Sequence, residues 1–366
     1  MTLASSEARA ISAAVEALPR VEFLHWSTPI ERQPRLSEHL QVDLWVKRDD
    51  LTGLGFGGNK VRQLEFYFGK AIAARADTIL ITGAVQSNYV RVAAACAARF
   101  GMRCHLQLEE RVPNVDPAYR NNGNVLIDKI LGASLHSYPD GEDEEGADRK
   151  LNELADKLER QGAKPFIIPL SASNPPIGAL GYIRCAEELL AQDGKFDHVI
   201  LASGSGHTHS GLLFGLMAFG WHGHVHGICV RRSAALQHSR IAAHCERLAA
   251  MLKVENPVTI DDIKTYDDVL APGYGIMNDL TLEAIRTCAH LDALLLDPVY
   301  TGRAMCGLFR RLDDRSVSKG SRVLFIHTGG LPALFGYADA LEPVFGEEAH
   351  LPCDPGLLSV DIAERD

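Results

Sequence analysis

DTILITGAVQSNYVRVAAACAARFGMRCHLQLE, residues 77–109, decides how this chain folds. DTILITG (77–83) is an unbroken aliphatic and β-branched run closed by Gly83, which reads as a strand buried on both faces. VRVAAACAARFG (90–101) is alanine-rich and reads as a helix ended by Gly101. MRCHLQLE (102–109) turns strand-like again. Strand, helix and strand in that order form a βαβ unit, whose strands lie parallel.

The alternation continues outward. NNGNVLIDKILG (121–132) reads as a helix that Gly132 ends, and ADRKLNELADKLERQG (147–162) as an amphipathic helix with Leu151, Leu154 and Leu158 on one stripe. KPFIIPL (164–170) reads as a strand, GYIRCAEELLAQ (181–192) as a helix, DHVILAS (197–203) as a strand and SGLLFGLMAFG (210–220) as a helix. HVHGICV and RVLFIHTGG add strands. The expected fold class is α/β, with parallel sheets covered by helices on both faces. At 366 residues the chain has the length of about two domains.

Composition narrows the function. Apolar residues make up 46% and charged residues 23%, which excludes a disordered or fibrous chain. A net charge of −10 argues against general binding to nucleic acid or acidic membrane, which needs a basic face, but leaves room for a local anion pocket. The eight cysteines, at 96, 104, 185, 229, 245, 288, 306 and 353, form no C-x-x-C pair and read as small buried hydrophobes in a reducing compartment. The first twenty residues carry Glu7, Arg9 and Glu16 and lack the apolar run of a signal peptide. No later stretch is long and apolar enough to span a membrane. A cytoplasmic protein is expected.

Three loops carry chemistry. In LTGLGFGGNKVRQLEF, Lys60 follows a glycine-dense loop and precedes a helix; the glycines permit close backbone approach. Val61 after the lysine rejects a Walker A loop. A lysine at this place is a surface charge, a phosphate ligand or an amine nucleophile, and the positive end of a helix disfavours its cation. In ILASGSGHTHSGLLFGL, the amides of Gly204, Ser205, Gly206, His207 and Thr208 are placed to converge on an anion at a helix N-terminus, and His209 breaks the Rossmann spacing. In ITGAVQSNYVRVAAA, Gln86, Ser87 and Asn88 stand between strand and helix, as a cap, as carboxylate ligands, or both.

Taken in order, GGNK, GxxQSN, SGSGxTHxG, PGYG, DPVYTG and HTGGxPALF make the chain resemble the pyridoxal-phosphate enzymes of the tryptophan-synthase-β fold type, and more narrowly the branch of D-cysteine desulfhydrase and 1-aminocyclopropane-1-carboxylate (ACC) deaminase. The resemblance implies a large domain from residues 1–57 and 167–366 and a small domain from 58–166. It implies that Lys60 binds the pyridoxal 5′-phosphate aldehyde covalently, that Asn88 hydrogen-bonds the cofactor's ring oxygen, and that Gly204, Ser205, Gly206, His207 and Thr208 cradle its phosphate. Thr301 would face the ring nitrogen, with Thr328 a further contact. Gln86, Ser87 and Asn88 would meet the substrate carboxylate, and Tyr274 and Tyr300 would line the substrate pocket. Lys60, Tyr300, Tyr274 and Ser87 are the expected catalytic set. Two positions depart from the relatives. His207 stands where they carry a small residue, and Tyr89, where they carry His or Gln, is expected to reshape the substrate pocket.

The implied activity is α,β-elimination from a small amino acid, with D-cysteine favoured and cysteate a variant, giving pyruvate, ammonia and sulfide or sulfite. ACC deaminase is the alternative within the class, and a non-catalytic amino-acid or cofactor binder the alternative outside it. Thr301 bears on the choice, because ACC-deaminase-like sequences carry a glutamate after the DPVY tyrosine. No metal is needed, and a homodimer is implied. His222, His224 and His226 read as the solvated face of an edge strand rather than metal ligands. Arg231 and Arg232 read as surface charges, the acidic stretch 140–145 as a solvated loop, and His327 as lying near the ligand edge of a sheet.

Overall fold

The computed structural model describes residues 6–113 and 115–346. Cys353 lies outside them; the other seven cysteines are buried and unpaired.

Among the described residues ten strands build two sheets. They are β1 (Ile30–Arg32), β2 (Asp43–Lys47), β3 (Thr78–Ala84), β4 (Arg103–Glu109), β5 (Ser134–Tyr138), β6 (Pro165–Ile168), β7 (His198–Ser203), β8 (His224–Cys229), β9 (Lys264–Tyr266) and β10 (Arg322–Ile326). The six-stranded sheet runs β1-β2-β10-β7-β8-β9, and the four-stranded sheet β5-β4-β3-β6. Every pairing is parallel except β1 with β2. The chain is thus α/β, as the βαβ pattern predicts.

The deciding stretch folds as read. All seven residues of β3 are buried, as a central strand covered on both faces requires. The following helix, Asn88–Arg99, is buried along its first ten residues, and β4 returns parallel to β3 in the register Thr78↔Arg103 to Ala84↔Glu109.

Two local expectations are corrected. The helix expected over 121–132 is two short ones, Pro117–Asn121 and Asn124–Ile130, because Gly123 adopts φ +59° between them. A Cβ at Gly123 would meet the Pro332 carbonyl at 2.6 Å, so the break is also a close approach. The strand carrying His224 and His226 is not an edge, because β9 pairs along it. His226 is buried between β7 and β9, 3.0 Å from His198 and stacked on Tyr266. Burial, then the neighbouring histidines, push it down to about 3, so it is a neutral packing group. Among the described residues no three His, Cys, Asp or Glu side chains gather to hold a metal, and no helix is long and apolar enough to cross a membrane.

Candidate active site

One cleft encloses about 800 Å³ including its mouth and gathers the loops of Lys60, Ser87 and Gly204, and both sheets contribute to its wall. Three strand-to-helix turns meet there, at the carboxyl ends of parallel strands where α/β folds bind ligands.

The first turn delivers Lys60. The loop before it folds on glycine: Gly58 has φ +109°, and a Cβ there would lie 2.9 Å from the Thr328 carbonyl. The Asn59 N–H donates to that same carbonyl at 3.1 Å, which ties the loop to the 327–330 turn. Lys60 then opens the helix Lys60–Ala73 and lines the cleft. Its Nζ lies 3.4 Å from Gln63 Oε1 and 5.0 Å from the Tyr89 ring centroid, with no carboxylate paired to it. Burial lowers its pKa to about 8, so the neutral amine is far more accessible near neutral pH than that of an ordinary lysine and predominates above about pH 8. The expected helix-end effect acts in the same direction, but burial is the cause the surroundings supply.

The second turn follows β3. Ser87 caps the helix Asn88–Arg99, its Oγ accepting from the N–H groups of Tyr89 and Val90. Ser87, Asn88 and Tyr89 all line the cleft. Gly83 leaves room for the serine, since a Cβ there would stand 2.7 Å from Ser87 Oγ. Gln86 takes a different part. Its Nε2 donates to the Tyr119 and Asn122 carbonyls, its Oε1 accepts from the Asn124 N–H, and it is not among the lining residues. Gln86 shapes the 119–124 turn and does not reach for a substrate.

The third turn follows β7 and leads into the helix His207–Ala218. Ser210 is the first residue to donate back, to Gly206 O, so the amides before it are the orphan donors of a helix N-terminus. Gly204, Ser205, Gly206 and Thr208 line the cleft. Thr208 Oγ1 accepts from Asn59 Nδ2 at 2.8 Å and from Gln63 Nε2 at 2.9 Å, which leaves its own proton to give to an anion. His207 supplies an amide of this turn, but its ring is turned away, toward Gly178 and the His244 ring 5.2 Å off. Burial, then His244, hold that ring well below its ordinary pKa, so it adds no cation beside the loop.

Two tyrosines and Thr328 complete the wall. The hydroxyls of Tyr274 and Tyr300 are 2.6 Å apart. Burial, then Tyr274, push the Tyr300 phenol far up, so it keeps its proton. Thr301 does not line the cleft. Its hydroxyl donates to Asp297 Oδ1 and accepts from the Asp297 N–H, and its own N–H donates to the same carboxylate. The threonine closes a turn at the start of the helix Thr301–Asp313. His327 is buried; its Nε2 lies 2.8 Å from Leu295 O, and its Nδ1 accepts from the Gly329 N–H.

Residues that the sequence did not single out also line the cleft. Arg111 lies over the Tyr274 ring at 5.6 Å and is paired to Glu109 at 2.6 Å. Glu144 and Arg231 form the rim. Here the sequence reading is corrected: Arg231 and Arg232 are not surface charges but are side chains 4% and 16% exposed, and Glu144, inside the supposed solvated loop, pairs with both. Their separation of almost ninety positions hides the pairing from local inspection. Arg91, fully buried, donates to the carbonyls of Gly55 and Gly57 and supports the Lys60 loop from below. QSNYVR shows an arginine there, but nothing in the spacing reveals its target.

An amine made acidic by burial, an amide-lined helix start and a hydroxyl with an unspent proton suit a phosphorylated aldehyde. The profile of the pyridoxal-phosphate dependent enzymes matches residues 21–329. The chain belongs to this family. It is 39% identical over 322 residues to a D-cysteine desulfhydrase of Salmonella typhimurium, covering 87% of this chain and 96% of the relative. A D-cysteine desulfhydrase of Yersinia enterocolitica is 40% identical with the same coverage. A solved structure described as an ACC deaminase homologue superposes with a TM-score of 0.83 at 35% identity, covering 92% of this chain and 99% of that one. The family's cofactor, pyridoxal phosphate, supplies when bound an electron sink for the Cα–H bond of an amino acid. Family membership also agrees with the two parallel sheets described above.

Proposed function

We propose that this protein is a pyridoxal-phosphate-dependent carbon–sulfur lyase that converts D-cysteine to pyruvate, ammonia and sulfide, with cysteate as a variant substrate. The observation that carries the reading is the joining of Lys60, whose amine is neutral above about pH 8, with the hydrogen-bonded Tyr274–Tyr300 pair in one cleft. Relatives named D-cysteine desulfhydrase at 39–40% identity support the substrate. In this reading Lys60 would hold the cofactor until the substrate amine displaces it, and its freed Nζ would then take the proton from Cα. The Cβ–S bond then breaks, sulfur leaves with the electron pair, and the tyrosine pair returns a proton to it. Hydrolysis of the three-carbon enamine yields pyruvate and ammonia.

Ser87 and Asn88 would hold the substrate and cofactor oxygens, and the 204–208 loop, with Thr208 Oγ1, the phosphate; Thr328 would be a further contact. Tyr89, with its ring beside Lys60, would narrow the pocket. The two sheets would mark two domains, the larger from residues 1–57 and 167–366 and the smaller from 58–166, with β6 crossing the second boundary. A cytoplasmic homodimer fits the seven unpaired cysteines and the exposed apolar side chains Leu126, Ile130 and Phe335; sedimentation would test the dimer.

The second reading is ACC deamination, favoured by the structure named as its homologue. The test is kcat/KM measured side by side on D-cysteine, L-cysteine, cysteate and ACC, with pyruvate, sulfide, sulfite and 2-oxobutyrate as products. D-cysteine or cysteate should lead. ACC ahead of the other three by tenfold, about 1.4 kcal/mol of transition-state preference, would reverse the order of the readings. A mere binder would yield none of these products.

A further inference from the structure

The rim of the cleft holds a four-membered charge cluster with an unequal count. Glu144 opens the helix Glu144–Arg160, which packs on the four-stranded sheet. Three arginines of the six-stranded unit converge on its single carboxylate. Arg231 pairs at 2.6 Å, Arg240 at 3.0 Å, and Arg232 more closely. Glu142, 75% exposed, also lies 3.6 Å from Arg231.

Several other arginine donors go to backbone, and two of them to one place. Arg232 Nη1 donates to Gly204 O at 3.1 Å, and Arg240 Nε donates to Ser205 O at 2.9 Å. Arg240 Nη2 donates to Leu170 O, and Arg231 Nη2 to Gly141 O. Gly204 and Ser205 are the first two residues of the anion loop. Fixing their carbonyls on the outer side fixes the peptide planes whose amides face the cleft. Three cations converge there on one carboxylate, so without it they would repel one another. Burial and Arg240 already draw Arg232 down to about 10, and Glu144 is the charge that opposes them.

We propose that Glu144 is a positioning residue for the cofactor's phosphate: it holds Arg232 and Arg240, which hold the carbonyls of Gly204 and Ser205 and thereby set the anion loop. The proposal rests on the reading that this loop takes the phosphate. It also makes the phosphate grip depend on contact between the two sheets, because the carboxylate comes from one unit and the arginines from the other.

The experiment compares pyridoxal phosphate with pyridoxal, which lacks only the phosphate, by equilibrium titration of the full-length chain freed of cofactor. The wild type should bind the phosphorylated form far more tightly; equal affinity would refute the phosphate reading itself. Glu144→Gln should weaken pyridoxal phosphate by about tenfold and leave pyridoxal within about twofold. Glu142→Gln should change neither. Equal weakening of both ligands would mean general damage to the cleft and overturn the proposal. Tighter binding of pyridoxal phosphate would also overturn it, since the freed arginines would then be reaching the anion directly. Arg232→Leu tests the same link should Glu144→Gln fold poorly. It removes the Gly204 contact while keeping Glu144, and the same selective loss for the phosphorylated ligand is expected.

Discussion

Lys60 illustrates how little a single residue needs to become reactive. It has no acidic partner in hydrogen-bond range, one glutamine at 3.4 Å, and an aromatic face at 5.0 Å. Burial is then unopposed, and the pKa comes down to about 8. A depressed lysine pKa means the neutral amine predominates above about 8 rather than above its ordinary value near 10.4. The full-length chain freed of cofactor should therefore capture pyridoxal phosphate covalently at a rate that rises from roughly pH 6 and levels off near pH 9. A rate still climbing past pH 10 would show an ordinary exposed lysine. Lys60→Ala should abolish turnover and the borohydride-sensitive visible band together. Retention of most activity would remove Lys60 from the chemistry.

At the scale of elements, the cleft depends on how closely one helix can lie on another. Gly211 and Gly215, one turn apart in the helix His207–Ala218, face the helix Leu180–Gln192 and the turn before it. A Cβ at Gly211 would fall 2.1 Å from the Ala179 carbonyl, and one at Gly215 would fall 2.6 Å from the Ala186 Cβ. Neither backbone can yield without moving the helix start that carries the anion loop. Gly211→Ala should lower stability by about 1–3 kcal/mol, seen as a lower denaturant midpoint with unchanged slope. An unshifted midpoint would show that the interface relaxes freely. The elements themselves were legible in the sequence: β3 and the helix after it declare their period and end in recognisable residues. So were the loops at Lys60, Ser87 and Gly204, since turn glycines and caps are local signals. Two kinds of feature were not legible. Gly123 breaks a helix because of what lies across from it, and β8 is interior because β9 arrives from almost forty residues later. Thr301, Gln86 and His207 show the same limit at the site: each stands at the expected place, but its side chain is engaged by a neighbour that no spacing reveals.

Across the whole molecule, a second ionic network joins the six-stranded sheet to the helix that carries Lys60. Lys47 of β2 pairs with Glu188 at 2.5 Å, Glu188 with Arg62 at 2.8 Å, and Arg62 with Asp49 at 2.9 Å. Tyr182 donates to Asp49 at 2.5 Å, and Lys47 also donates to the Thr28 carbonyl. Two cations meet two anions, so the buried charges balance. Arg62 lies two residues from Lys60, which makes the network the anchor of the reactive helix. Burial alone would raise the pKa values of Asp49 and Glu188, but Arg62 and Lys47 outweigh it and hold both below the ordinary carboxylate range. A carboxylate whose pKa is depressed by folding contributes stability above its unfolded value, near 4, and loses that contribution as pH falls through the folded value. Glu188→Gln would leave Lys47 and Arg62 sharing one carboxylate, at a cost on the order of 3 kcal/mol at neutral pH. Below about pH 4 the wild type loses what the variant already lacks, so the two stability curves should converge in acid. Denaturant midpoints measured across that range decide the matter. Parallel curves down to the acid limit would show that Glu188 acts by packing, and that the charge network contributes nothing to holding the Lys60 helix in place.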